Sequence, residues 1–153
     1  MNIGEVKEIN EPGYPIIKQM RDNINDKPYD FLIEFYEDKL ILIVTEVDNV
    51  GSLIQVKVND KDEEYKGHLI DQKFYEPSIK NNLINLLGQY SIYDQLYSNI
   101  ISTLLLKGSK LSKGLPYTSC VIGLGIKHNK DNDYNEQVQN LISILNKILK
   151  LLN

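Results

Sequence analysis

The run Leu40-Ile41-Leu42-Ile43-Val44 constrains the fold more than any other feature. A strand sends successive side chains to opposite faces, so five consecutive aliphatics make both faces apolar. A sheet face that meets water needs only every second residue to be apolar. Helices can cover one side of such a strand. The other side then needs a cover of its own, either from this chain or from another.

The flanking segments alternate. In Tyr29–Glu37, Phe31, Ile33 and Phe35 fall on one face, and Leu32, Glu34 and Tyr36 on the other. Leu53–Val58 alternates again, with Ile54, Val56 and Val58 opposed to Gln55 and Lys57. Asp48-Asn49-Val50-Gly51 reads as a hairpin turn that joins these strands, pairing Asp48 with Ser52, Leu42 with Val58 and Val44 with Val56. Pro15–Met20 suits one earlier strand. Asn82–Leu87 fits either a helical turn or a short strand.

Two helices follow from caps and spacing. Ser91 with Asp94 three residues on has the form of an N-cap. From there the pairs Ile92/Tyr93, Leu96/Tyr97, Ile100/Ile101 and Leu104/Leu105 make a stripe that Gly108 can end. The last helix starts near Asp133, with Glu136 as capping partner. Its stripe is Val138, Leu141/Ile142, Leu145, Ile148/Leu149 and Leu152. Between the helices, Thr118–Ile126 is a strand with Cys120, Ile122, Leu124 and Ile126 on one side and Ser119, Val121, Gly123 and Gly125 on the other. Strands, helix, strand, helix is the order of an α+β domain, with a mostly antiparallel sheet and two long helices on one face.

Composition excludes several function classes. A net charge of −4, with sixteen lysines but Arg21 as the single arginine, disfavours nucleic-acid binding. No segment is apolar over a bilayer-spanning length, and MNIGEVKEIN has no secretory h-region. One cysteine, Cys120, forms no internal disulfide and fits a reducing compartment, cytoplasmic or also nuclear. The absence of alanine, with abundant Asn, Lys and Ile, points to A+T-rich coding rather than to chemistry.

The chemical motifs are fragments. Gly123-Leu124-Gly125 lacks the third glycine of a dinucleotide loop, and Lys107–Gly114 lacks the order of a phosphate loop. Cys120, among apolar strand residues, is better placed as a small hydrophobe than as a nucleophile for His128. His68 has no ligand spacing around it, and Asp60-Asp62-Glu63-Glu64 lacks the glycine and terminal glutamate of a calcium loop. The expectation is a chain without enzymatic activity, catalytic residues, cofactor or metal.

Weight therefore returns to the sheet. If the helices cover the face of Phe31, Leu42, Ile54 and Ile122, the other face carries Leu32, Tyr36, Ile41, Ile43, Leu53, Gln55, Val121 and Gly123, with Glu34, Lys57 and Gly125 among them. Apolar anchors among polar and small residues suit a subunit interface. Fully burying Ile41, Ile43 and Leu53 is worth about 5–9 kcal/mol, against a net stability of about 5–15. The expected use of this face is dimerisation. The alternative cover is residues 1–28 or 60–80 of the same chain.

These residues carry a family resemblance. KLILIVTEVDNVGSLIQV (Lys39–Val56), NLLGQ (Asn85–Gln89) before a helix that ends SNIISTLLL (Ser98–Leu106), and CVIGLGIKHNK (Cys120–Lys130) before a last helix resemble the proteasome assembly chaperone 3 family. The likeness spans roughly 28–58, 83–106 and 118–149; the paralogous chaperone 4 has a similar element. It implies one domain over 1–153, with 1–27 as a partly flexible N-terminal arm and 59–80 as a variable insertion. It also implies a non-enzymatic factor that dimerises through its sheets, with itself or with a chaperone-4-like subunit. The dimer would bind proteasome α subunits and promote correct α-ring formation, with no nucleic acid and no membrane as partner. The alternative reading is an α+β adaptor in another multiprotein complex.

Overall fold

Leu40–Thr45 lies in the middle of a seven-stranded sheet, with a strand hydrogen-bonded on each side and helices beneath it. The computed structural model describes residues 2–46, 50–57, 82–89, 91–107, 114–127 and 134–153. The strands are β1 (Val6–Ile9), β2 (Ile16–Ile24), β3 (Lys27–Phe35), β4 (Leu40–Thr45), β5 (Ser52–Lys57), β6 (Asn82–Gly88) and β7 (Ser119–Gly125). The helices are α1 (Ile92–Ser102), prolonged by a π-helical turn over Thr103–Lys107, and α2 (Tyr134–Leu152). The spatial order is β1-β2-β3-β4-β7-β5-β6, antiparallel throughout except for the β4/β7 pair. The architecture is thus α+β, as the element order predicts.

The expected β4–β5 hairpin is not formed. Strand β7 lies between its arms, parallel to β4 (Leu42 beside Ile122) and antiparallel to β5 (Ile54 beside Ile122). Ser52 pairs with Leu124 and Gly88, and Val44 with Phe31 and Leu124. What reads as a hairpin turn is a connection that crosses the end of β7. The Glu46 amide donates to the Gly125 carbonyl at 2.9 Å, and the Gly51 amide to that of Leu124 at 2.8 Å. Small residues in β7 permit the crossing, because Gly123 leaves the space into which Val50 packs.

Inserting a strand leaves the faces unchanged. Ile43, Gly123 and Leu53 lie in one cross-strand row, and Leu42, Ile122 and Ile54 in the next. The register differs from the expected one by an even number of residues, so no side chain changes side.

The N-terminal residues widen the sheet. Pro15–Met20 falls within β2, and β1 precedes it. The β2–β3 hairpin turns at Asn25-Asp26, whose φ values of 52° and 63° are those of a two-residue type I′ turn. The alternative covering of the sheet by residues 1–28 is thus not what β1 and β2 do; 60–80 and the insertion 59–80 lie outside the described residues. Asn82–Leu87, ambiguous by pattern, belongs to strand β6.

One face of the sheet and the helices make the core. Phe31, Ile33, Leu42, Val44, Ile54, Val56, Ile122 and Leu124 are buried against Tyr97, Ile101 and Leu105 of α1 and its extension, and Leu141, Ile144, Leu145 and Ile148 of α2. Helix α1 packs on β5 and β7, α2 on β2, and the helices touch each other. Ser91 caps α1, its hydroxyl accepting from the Asp94 amide at 3.0 Å.

Both helical stripes need correction. Ile92, at the first position of α1, is exposed rather than in the core. In α2, Leu141, Leu145 and Ile148 of the expected stripe are buried, but Val138, Ile142, Leu149 and Leu152 are only half-buried, and Gln137, Ile144 and Leu151 complete a buried line rotated toward their side. Polar Gln137 hides the true axis. Its burial is compensated by the Tyr97 hydroxyl, 2.9 Å from its carbonyl oxygen and 3.1 Å from Oε1. The Asp133 cap, the end at Gly108 and Val58 lie outside the described residues.

Candidate interaction face

The face turned away from the helices is built by strand alternation alone. One cross-strand row runs Ile17, Glu34, Ile41, Val121, Gln55 and Ile84. The next runs Gln19, Leu32, Ile43, Gly123, Leu53 and Leu87. Seven of the eight residues expected on this face occupy these two rows. The eighth, Tyr36, lies just beyond β3 and donates its hydroxyl to Glu34 Oε2 at 2.6 Å. The structure therefore gathers all eight on one side of the sheet.

Their exposure is graded. Leu32, Ile41, Ile43, Leu53, Gln55 and Val121 are half-buried, because neighbours in the pleat cover their flanks. Gly123 is buried. A Cβ on it would stand 3.2 Å from Val50 Cγ1, 3.4 Å from Ile43 Cγ1 and 3.5 Å from Leu53 Cδ1, so these side chains close over it. The free energy still available from covering the centre is correspondingly less than full burial of three aliphatic side chains. Toward β6 the exposure rises, to 48% at Ile84 and 63% at Leu87.

Ile17, Gln19, Val50, Ile84 and Leu87 are the members that sequence reasoning missed. Val50 reads as a turn residue, and it joins the face only because its connection crosses β7. Ile84 and Leu87 sit in the segment whose period is ambiguous; a β-bulge there gives Leu53 the partner Leu87 and Ile54 the partner Asn85.

Charges frame the apolar centre. Arg21 grips Asp30 through two hydrogen bonds of 2.7 and 2.9 Å. Glu34 and Tyr36 stand at the β3 margin, and the Glu34 carboxylate raises the Tyr36 hydroxyl above its ordinary pKa. An apolar centre with a polar margin is the composition of a protein–protein contact surface.

A concavity among the described residues is polar. A pocket of about 450 Å³ opens where β4 and β7 end, against the first turns of α2, with Tyr29, Glu46, Lys127 and Asn140 in its wall. Glu46 is already engaged. Lys27 Nζ lies 3.4 Å from it, the Tyr29 hydroxyl donates at 3.4 Å and the Lys127 amide at 3.2 Å. Among the described residues no group of three His, Cys, Asp or Glu side chains is arranged to hold a metal ion. Cys120 is buried in the core, and burial pushes its thiol up to about 12, so it stays protonated and inert. His128 lies outside the described residues. No described helix is long and apolar enough to cross a membrane.

No protein-family model matches the sequence, and no curated protein matches it. Among solved structures, the chain is similar to one in the crystal structure of a chaperone complex for yeast 20S proteasome assembly, with a TM-score of 0.58 at 12% sequence identity. The likeness covers 90% of this chain and 98% of that one.

Proposed function

We propose that this chain is a non-enzymatic chaperone of 20S proteasome assembly. In this reading it dimerises through the outer sheet face, binds α subunits and promotes correct α-ring formation. The observation that carries it is the fold likeness to a subunit of a yeast proteasome-assembly chaperone complex, over nearly the full length of that subunit. The segments that resemble chaperone 3, Lys39–Val56, Asn85–Gln89 and Cys120–Lys130, supply β4, β5, β6 and β7, which carry most of the apolar outer face.

The mechanism is surface complementarity. A half-buried sheet centre retains apolar area that a second subunit removes from water. Such a dimer holds neighbouring α subunits in order and obstructs wrong pairings. The partner across the sheet is a chaperone-4-like subunit or a second copy, and the place of action is the cytoplasm, with the nucleus as a further site.

A pull-down of the folded chain against individual proteasome α subunits and a chaperone-4-like protein tests this reading. Retention of at least one of them is expected. Failure of a folded sample to bind any of them sinks it and leaves an adaptor role in another complex.

A further inference from the structure

The two edges of the sheet are built differently. β1 is four residues long, and its Lys7 and Glu8 are exposed. A short, charged edge resists strand addition. β6 has seven residues, NLINLLG, without a charge. No Asp, Glu, Lys, Arg or His occurs from Asn81 to Tyr93. Ile84, Leu86 and Leu87 are 48%, 48% and 63% exposed, and Ile92, just beyond, is 75% exposed. Among the described residues no strand pairs with the free side of β6.

We infer that the free edge of β6 takes up an extended, uncharged, aliphatic-rich segment of a partner protein, which joins the sheet as one further strand. An open edge specifies its occupant more narrowly than an apolar face does. Its amides and carbonyls, which no strand among the described residues pairs, are satisfied by another extended backbone. The side chains of that segment facing the outer side lie beside Ile84 and Leu87, whose exposed apolar area is removed from water best by aliphatic neighbours; the nearest charge, Lys57, stands at the Asn82 end of the edge. The occupant is therefore aliphatic on that side.

Size selects a segment over a second copy. Seven residues at about 3.4 Å each give an edge about 24 Å long and one strand wide. A stable dimer buries about 1,200–2,000 Å² in all, more than one strand edge supplies. The bulge at Leu86 bends the strand there and leaves Asn82–Asn85 in continuous register with β5. Docking at this edge does not depend on whether the partner is a proteasome subunit, and it leaves the centre of the sheet face free.

Amide exchange followed by NMR on the full chain tests the inference. The probe is a capped Thr-Val-Thr-Ile-Thr-Val-Thr peptide at millimolar concentration. Two control peptides are used, one with glutamate at the aliphatic positions and one N-methylated at alternate residues. The expected result is at least tenfold slower exchange of the solvent-facing β6 amides with the first peptide and less than twofold change with either control. Leu86→Lys, at an exposed position outside the two rows of the sheet face, should weaken the effect at least tenfold with the melting temperature unchanged. Equal slowing at β1, or none at β6, overturns the inference. So does protection of the same amides in the free chain, which assigns the edge to a segment of this molecule. Protection that grows with protein concentration alone assigns it to a second copy, and overturns the inference likewise.

Discussion

Ile43 and Leu53 belong to strands that do not pair, yet both side chains reach over Gly123. Each comes within 3.5 Å of the point where a Cβ on that glycine would stand, and Val50 Cγ1 comes within 3.2 Å. The glycine leaves the space over which Val50, Ile43 and Leu53 close. Gly123→Ala should be nearly neutral, because Val50 is partly exposed and can shift by a few tenths of an ångström. Gly123→Val should cost about 1–3 kcal/mol, since overfilling moves the connection itself. Denaturant melts of the two variants check this, and equal midpoints would contradict it.

Ile43 tests the sheet face as an interface. It is half-buried and points away from the helices, so an aspartate there keeps much of its hydration in the isolated chain. In a face-to-face dimer the same carboxylate is buried without a partner, at a cost of several kcal/mol. Ile43→Asp should therefore weaken dimerisation at least a hundredfold while circular dichroism stays native-like. Light scattering of the wild type and the variant, each alone and with a chaperone-4-like subunit, is the measurement. A wild type that stays monomeric in both settings removes the face from the mechanism.

The faces were legible because strand parity survives a change of partner. Leu32, Ile41, Ile43, Leu53 and Val121 stay on one side whether β4 lies next to β5 or next to β7. Pairing itself was not legible. Local pattern favours a hairpin through Asp48–Gly51, and the parallel contact of β4 with β7 joins residues some eighty apart in the chain, Leu42 with Ile122. β1 was missed because VKEI is short and its two charged residues are adjacent, so it shows no strand period. The rotation of α2 was missed because Gln137, a buried polar residue, carries no hydrophobic signal.

Tyr97 joins the two helices at that hidden position. Its hydroxyl lies 2.9 Å from the Gln137 carbonyl oxygen and 3.1 Å from Oε1, and Asn140 Nδ2 donates to it at 3.3 Å. Burial pushes this hydroxyl up to about 12, so it remains a donor across the accessible pH range. Tyr97→Phe keeps the ring packing and removes the donor, leaving the buried Gln137 amide short of a partner. The expected loss is about 1–3 kcal/mol. Tyr97→Phe/Gln137→Leu should recover part of it. A double variant less stable than the sum of the single changes would show that the hydroxyl is not what compensates Gln137.

Asp22 ties β2 to α2 and makes stability depend on acid. Its Oδ2 lies 2.8 Å from Lys147 Nζ and 3.9 Å from Lys150 Nζ, and the Asn23 amide donates to Oδ1 at 2.8 Å. The hydrogen bond from Lys147 does most to hold the carboxyl below its ordinary value, against burial, which pushes it up. Because the folded value is the lower one, the folded state favours the ionised form. This stabilisation is fully present above the unfolded pKa of about 3.9 and disappears as pH falls through the folded value. Asp22→Asn should lower stability at neutral pH by about 1–2 kcal/mol, the worth of a charge-assisted hydrogen bond. It should also flatten the fall of melting temperature below about pH 4. Lys147→Met, which removes the donor and keeps the aliphatic stem, should shrink the same acid limb without abolishing it, because Lys150 and the Asn23 amide remain. Parallel melting curves for wild type and Asp22→Asn between about pH 5 and 2 would place the acid sensitivity on other carboxylates.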